Sequence, residues 1–233
     1  MIFSLFYALQ KLNLAVSLLS LAGFKYKLMS DFLFDESGLS QETIDSFRAT
    51  YDELREHFNI QLTGHINFHL EDFEAFNQYH NHQLLGSYVI KNGHSDCYLL
   101  FVDTKAKKAK EGAITGHYEY QTWALAYLKR DFGRVKIRQE TLKDKLAELI
   151  HPLELDFKED KAFSDTFYVL VNDHAKAIHC MDRHFRNAVM DIREDDFVIE
   201  IVNHTLIIGN KKPISPERAV YMAEFVCKLA EVC

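Results

Sequence analysis

The residues of this 233-residue chain best suited to chemistry are its twelve histidines, since imidazole binds metals and moves protons near neutral pH. Seven of them (His57, His65, His69, His80, His82, His94 and His117) fall between residues 57 and 117. In His80-Asn81-His82 the two imidazoles share one side if the segment is a strand, as some metal sites need. The three letters do not match the nuclease motif of that name, whose residues are not adjacent. If residues 70 to 84 are helical, positions 80 and 82 point about 200° apart and cannot grip one ion. His65 and His69 share a face at a spacing of four, but no Glu follows His65 as the zinc-protease pattern requires. His65, His69, His80 and His82 are therefore weak metal candidates, and no cofactor is expected.

The other constellations fail on geometry. His174, His179 and His184 accompany Cys180 and Asp182, yet on a helix each step of five turns the direction by about 140°, so the side chains diverge. A shared metal or a Cys-His dyad is poorly placed there. The run Asp191, Glu194, Asp195, Asp196 lacks the Asp-x-Asp-x-Asp-Gly spacing of a calcium loop and reads as a solvated turn. Gly112 and Gly116 come without the Lys-Ser/Thr of a P-loop, and no G-x-S-x-G elbow is present. No catalytic residue is named, and the chain leans away from being an enzyme.

Charge and cysteine usage narrow the classes further. Lys and Arg number 27 against 34 Asp and Glu, for a net charge of −7, which disfavours nucleic acid as a partner. Cys97, Cys180, Cys227 and Cys233 form no CxxC pair and read as reduced thiols of a cytoplasmic protein. A Cys in the last position also fails the prenylation pattern. Residues 1 to 24 carry one charge, Lys11, and are followed by Lys25 and Lys27. Three readings stay open for them: a core helix, a membrane anchor, or a cleaved signal, the last weakened by the lack of a basic n-region. Lys105, Lys107, Lys108 and Lys110 form a basic segment. Its default is solvated charge, and its functional alternative is contact with anionic lipid at about 1 kcal/mol per lysine.

The elements that must position these groups show in the apolar spacing. Ser40 caps a helix over residues 41 to 58 with Ile44, Phe47, Tyr51, Leu54 and Phe58 on one stripe. A bent strand is expected around Gly64. Leu70, Phe73, Phe76, Asn77, His80 and Leu84 favour a second helix, closed by Gly86. Strands flanking Asn92-Gly93, then residues 117 to 129 and Arg134 to Arg138, predict an antiparallel meander. A short helix over residues 142 to 150 follows, ended by Pro152. Strands at 153 to 157 and 166 to 171 lead to a helix capped by Asp173, with Ile178, Met181, Phe185, Ala188, Val189 and Ile192 inward. A hairpin turning at Asn203-His204 and a closing helix capped by Ser215, with Pro216 at its first position, complete the order. The fold class is α+β: amino-terminal helices, an antiparallel sheet and a carboxy-terminal β-β-α-β-β-α unit. A soft boundary divides a mainly helical region, 1 to 86, from an α+β domain, 87 to 233.

The series YQTWALAYL, VKIRQETL, LDF, TFYVLVND with its following helix, MDIREDDFVIEI and LIIG resembles the carboxy-terminal domain of bacterial proteins grouped as domains of unknown function. Several of those carry hydrophobic membrane segments ahead of a cytoplasmic domain. The resemblance covers about half the chain and implies a cytoplasmic domain near the membrane, with no activity or site residue attached. The expected function is a non-catalytic cytoplasmic accessory or binding domain, apposed to the inner membrane surface through residues 1 to 28 and the lysine segment, with a protein partner unknown. One alternative is a metal-dependent or small-molecule enzyme using the histidines of residues 65 to 82. Another is a soluble protein-interaction module.

Overall fold

A helix of 17 residues, α1 (Gln41–His57), starts where Ser40 accepts a hydrogen bond from the Thr43 amide, which satisfies one of the amides a helix start leaves unpaired. The computed structural model describes residues 36, 38–64, 66–77, 79–91, 95–106, 118–139, 154–192, 197–210 and 212–233, with the backbone alone at 80, 105, 106, 118 and 119. Eight antiparallel strands form one sheet: β1 (Ile60–Leu62), β2 (Tyr79–Ile90), β3 (Cys97–Ala106), β4 (Tyr118–Tyr127), β5 (Arg134–Gln139), β6 (Phe167–Val171), β7 (Phe197–Val202) and β8 (Thr205–Asn210). Their order across the sheet is β1-β2-β3-β4-β8-β7-β5-β6. Four more helices, α2 (Lys161–Ser164), α3 (His174–Cys180), α4 (Arg183–Met190) and α5 (Pro216–Val232), make this an α+β fold. Residues Glu36–Cys233 form one unit, and β2 runs through residues 86 and 87.

Alternation along the strands gives the sheet two faces. The back face carries Tyr88, Leu99, Phe101, Ala124, Ile208, Ile199 and Val135, all buried. Helix α5 packs on β3, β4 and α1, burying Ala219, Met222, Ala223, Phe225, Val226, Leu229 and Ala230. Its start is capped by Ser215, with Pro216 at the first turn. Phe47 of α1 meets Phe101 edge-on at 5.7 Å, and Tyr51 lies 5.2 Å from Tyr88. Each fully buried side chain of this size contributes roughly 1.5 to 3 kcal/mol.

The front face is covered differently. Residues 66 to 77, with Tyr79, lie across β3, β4 and β8, packing Phe68, Leu70, Phe73, Phe76 and Tyr79 against Leu100, Val102, Trp123, Leu125 and Ile207. Trp123 stands opposite Gly209 in the β4–β8 pairing. A Cβ on Gly209 would sit 2.3 Å from the indole, so the missing side chain is what lets the ring lie flat on the neighbouring strand. Gln121, fully buried, donates to the Tyr79 hydroxyl at 2.8 Å and accepts from the Trp123 indole at 3.0 Å. The polar group is thereby satisfied inside the core.

Several expectations are corrected. The helix over residues 70 to 84 does not form. Two short 3₁₀ turns, Leu70–Asp72 and Glu74–Phe76, use the apolar spacing of Phe73 and Phe76, and from Tyr79 the chain joins β2. Pairing with β3 from Tyr79 to Ile90 overrides the local period. The helix from Asp173 is two helices: α3 ends at Cys180, and Asp182 accepts from the Phe185 amide to start α4. Ile178 consequently turns outward, 46% exposed. The strand over 153 to 157 reduces to one bridge, Glu154 to Leu170. The helix expected over 142 to 150 lies outside the described residues.

Candidate functional site

On the front face, the first 3₁₀ turn, the end of β4 and the β7–β8 hairpin surround a cleft of about 270 Å³, lined by Phe68, His69, Asp72, Phe73, Tyr127, Val202, Asn203, His204 and Thr205. Each wall has a local cause. The Asn67 side chain accepts from the His69 amide at 2.9 Å, a short-range bond that turns the chain. His69 itself is left-handed, with φ 52° and ψ 45°, a conformation that costs a non-glycine residue of order 1 kcal/mol and that His tolerates better than most. Asn203, with φ 55°, turns the hairpin, and its amide and carbonyl pair with Gly133 and Phe132.

The groups facing this cleft are mostly neutral and varied. The His204 Nδ1 lies 3.3 Å from the Leu128 carbonyl, so as the Nδ1–H tautomer it donates there and leaves Nε2 as an acceptor. His69 sits 3.5 Å from Glu71, both well exposed, a pair worth little in water. Tyr127 is 47% exposed, its ring held edge-on to Tyr98 at 5.8 Å. Two imidazoles, one carboxylate, a carboxamide, two hydroxyls and two phenylalanine rings can hold an organic ligand by hydrogen bonds and ring contact.

Beside it, a second cleft of about 200 Å³ is lined by Glu74, Arg134, Lys136, Leu170, Val171, Asn172 and Glu200. Its charges are spent on structure. Glu200, 1% exposed, accepts from the amides of Glu74 at 2.7 Å and Ala75 at 2.9 Å. Arg134 reaches Glu200 at 3.3 Å and the Asp72 carbonyl at 2.9 Å. Lys136 pairs with Glu74 at 3.2 Å. This clamp fixes the turns that form the wall of the first cleft. A lone Glu inside the apolar strand FVIEIV is its only sequence signal, because a buried carboxylate demands partners.

Of the histidines singled out from the sequence whose side chains are described, His69 reaches the cleft and His82 does not, and His204 joins His69 there from 135 positions away in the chain. His82 is half-buried in β2 with its ring 5.2 Å from that of Phe76. His80 lies in β2 and His65 outside the described residues. Among the described residues no three His, Cys, Asp or Glu side chains gather as metal ligands. Asp182 caps α4 and pairs with Arg130 at 3.0 Å, while Cys180 donates to the Asp131 carbonyl. Lys176 and the Gly133 amide hold the Asp131 carboxyl below its ordinary range. Lys105 lies near the end of β3, and Lys107, Lys108 and Lys110 lie outside the described residues, as do residues 1 to 35. No helix among the described residues is long and apolar enough to cross a membrane.

No family model and no curated protein matches the chain. Among solved structures it is similar to the crystal structure of the mycobacterial trehalose monomycolate transport factor A, with 7% sequence identity and a TM-score of 0.49 over 79% of this chain and 92% of that one.

Proposed function

We propose that this chain is a non-catalytic accessory domain of the cytoplasmic membrane face that binds its ligand or partner in the cleft between the first 3₁₀ turn and the β7–β8 hairpin. The observation that carries the binding role is the cleft itself: polar groups from three distant stretches of sequence meet around Phe68, Phe73 and Tyr127. Tethering rests on residues 1 to 24, with their single charge, and on Lys105, Lys107, Lys108 and Lys110, because stable membrane association generally takes two signals.

The test is fractionation of cells making the full chain or a form lacking residues 1 to 28. The full chain is expected with the membranes and the shortened form in the soluble fraction, folded. A soluble full chain paired with an aggregating short form would assign residues 1 to 28 to the core and end the membrane reading. A second reading, a metal-dependent or small-molecule enzyme using the histidines of residues 65 to 82, would be favoured by metal bound in fixed ratio after purification without a nickel column and lost in a His80→Ala or His82→Ala variant.

A further inference from the structure

The lining of the front cleft decides which charge it can hold. Anion sites are built from free backbone amides or from lysine and arginine side chains. No lysine or arginine lines this cleft. The amides of His69, Asp72, Phe73 and Asn203 are spent within the chain, on the Asn67 side chain and on the carbonyls of His69, Leu70 and Gly133. A neighbouring guanidinium, that of Arg134, is turned to the Asp72 carbonyl and to Glu200, which matches its charge. Acceptors are what remain. The Asp72 carboxylate has no hydrogen-bond or ion-pair partner among the described residues. His204 keeps a lone pair on Nε2 while Nδ1 donates to the Leu128 carbonyl. Asn203 and Thr205 add side-chain oxygens beside the Tyr127 ring, 47% exposed.

We infer that the cleft binds a small organic cation, a protonated primary amine on a short alkyl chain. This rests on the cleft being the binding site proposed above. An ammonium group brings three N–H donors and no acceptor. The Asp72 carboxylate, His204 Nε2 and a side-chain oxygen of Asn203 or Thr205 supply three acceptors, and the carboxylate supplies the opposite charge. The Tyr127 ring, edge-on to Tyr98, gives the alkyl stem an aromatic surface and attracts positive charge over its face. Size narrows the class: about 270 Å³ lies just under the range of sites for drug-sized ligands, about 300 to 1,000 Å³, which suits a short amine. The net charge of −7 works in the same direction, because an acidic concave surface concentrates cations. A phosphate or carboxylate ligand would meet Asp72 and no lysine or arginine.

The experiment dialyses the full chain against labelled diaminopentane, with pentanediol and pentanedioate as neutral and anionic competitors of matched length. Amide exchange over residues 66 to 77 and 203 to 205 reports whether any of the three occupies the cleft. The expected result is saturable binding of the diamine that neither competitor displaces, with exchange slowed at both stretches. Asp72→Asn, at an exposed position, should keep the parent Tm and bind the diamine about tenfold more weakly. Undiminished binding in that variant would overturn the inference, because the amine would then be held elsewhere on the acidic surface. Slowed exchange with the diol or the dicarboxylate, and none with the diamine, would also overturn it while leaving the cleft a binding site. No slowing with any of the three would count against both.

Discussion

On the back of the sheet, α5 presents seven buried side chains at helical spacing and is closed at its start by Ser215 and Pro216. On the front, residues 66 to 77 reach a comparable apolar fit with two three-residue turns and no regular helix. The back layer carries its own backbone hydrogen bonds and brings a prepared apolar stripe. The front layer has too few internal bonds to stand alone, so it borrows them from the sheet, through the Glu200 carboxylate and the Arg134 guanidinium. The cleft is built on the borrowed side. A binding wall held by a few long-range bonds can adjust to a ligand at less cost than a helix can.

The contrast between the two layers can be tested by substitutions, beginning with the most damaging. Trp123→Ala removes the ring on which the front layer rests, 4.8 Å from Phe76, and should cost about 4 kcal/mol in denaturant unfolding. A loss near 1 kcal/mol, roughly that of a single lost cap, would mean that residues 66 to 77 contribute little packing. Glu200→Ala takes the acceptor from the buried Ala75 amide and the part-buried Glu74 amide and one partner from the Arg134 guanidinium, and about 3 kcal/mol is expected. Its sharper signature is local: amide exchange and proteolysis should rise across residues 66 to 77 and stay unchanged in α5. Uniform loosening of both layers would contradict the borrowed-bond account.

The third expectation concerns a charged tie on the helical side, where Asp160 accepts from Arg186 at 2.7 Å. That bond, with help from the Phe163 amide, holds the Asp160 carboxyl below its ordinary value of 3.8. A carboxyl depressed by folding stabilises the native state above the unfolded value, and the contribution disappears as pH falls through the lower folded value. Asp160→Asn should therefore cost about 2 kcal/mol at neutral pH, and the gap to the parent should close only below about pH 4 in acid-titrated melts. The smallest effect belongs to Ser215→Ala, about 1 kcal/mol from one lost cap, with no change in exchange over residues 66 to 77.

What the sequence can disclose follows the same division. The caps Ser40, Asp173 and Ser215, the turn at Asn203, and the inward residues of α5 from Ala219 to Ala230 are all legible, because a cap and a 3.6-residue period are local properties. Leu70, Phe73 and Phe76 show a helical spacing too, but their partners are Trp123 and Ile207, and no local pattern announces that β3 will draw Tyr79 onward into a strand. Ile178 sits on the apolar stripe of the sequence yet faces outward, because Asp182 starts a second helix within that otherwise continuous stripe. The cleft is half visible: His69 stands out by its spacing from His65 and Asp72 follows it in the same short turn, whereas His204 comes to it only through the β4–β8 pairing.

That pairing has a kinetic consequence. Strands β1 to β4 pair with their neighbours in sequence, as do β5 with β6 and β7 with β8, while β5 also pairs with β7 across the stretch that holds α2 to α4, and the two groups meet along one seam where Trp123 faces Gly209 and Tyr127 faces Thr205. Closing such a seam costs more chain entropy than closing a hairpin, so it belongs late in folding. Trp123 is the single tryptophan of the chain. Its fluorescence in a refolding experiment therefore times the joining of the two half-sheets and is blind to the hairpins that form before it.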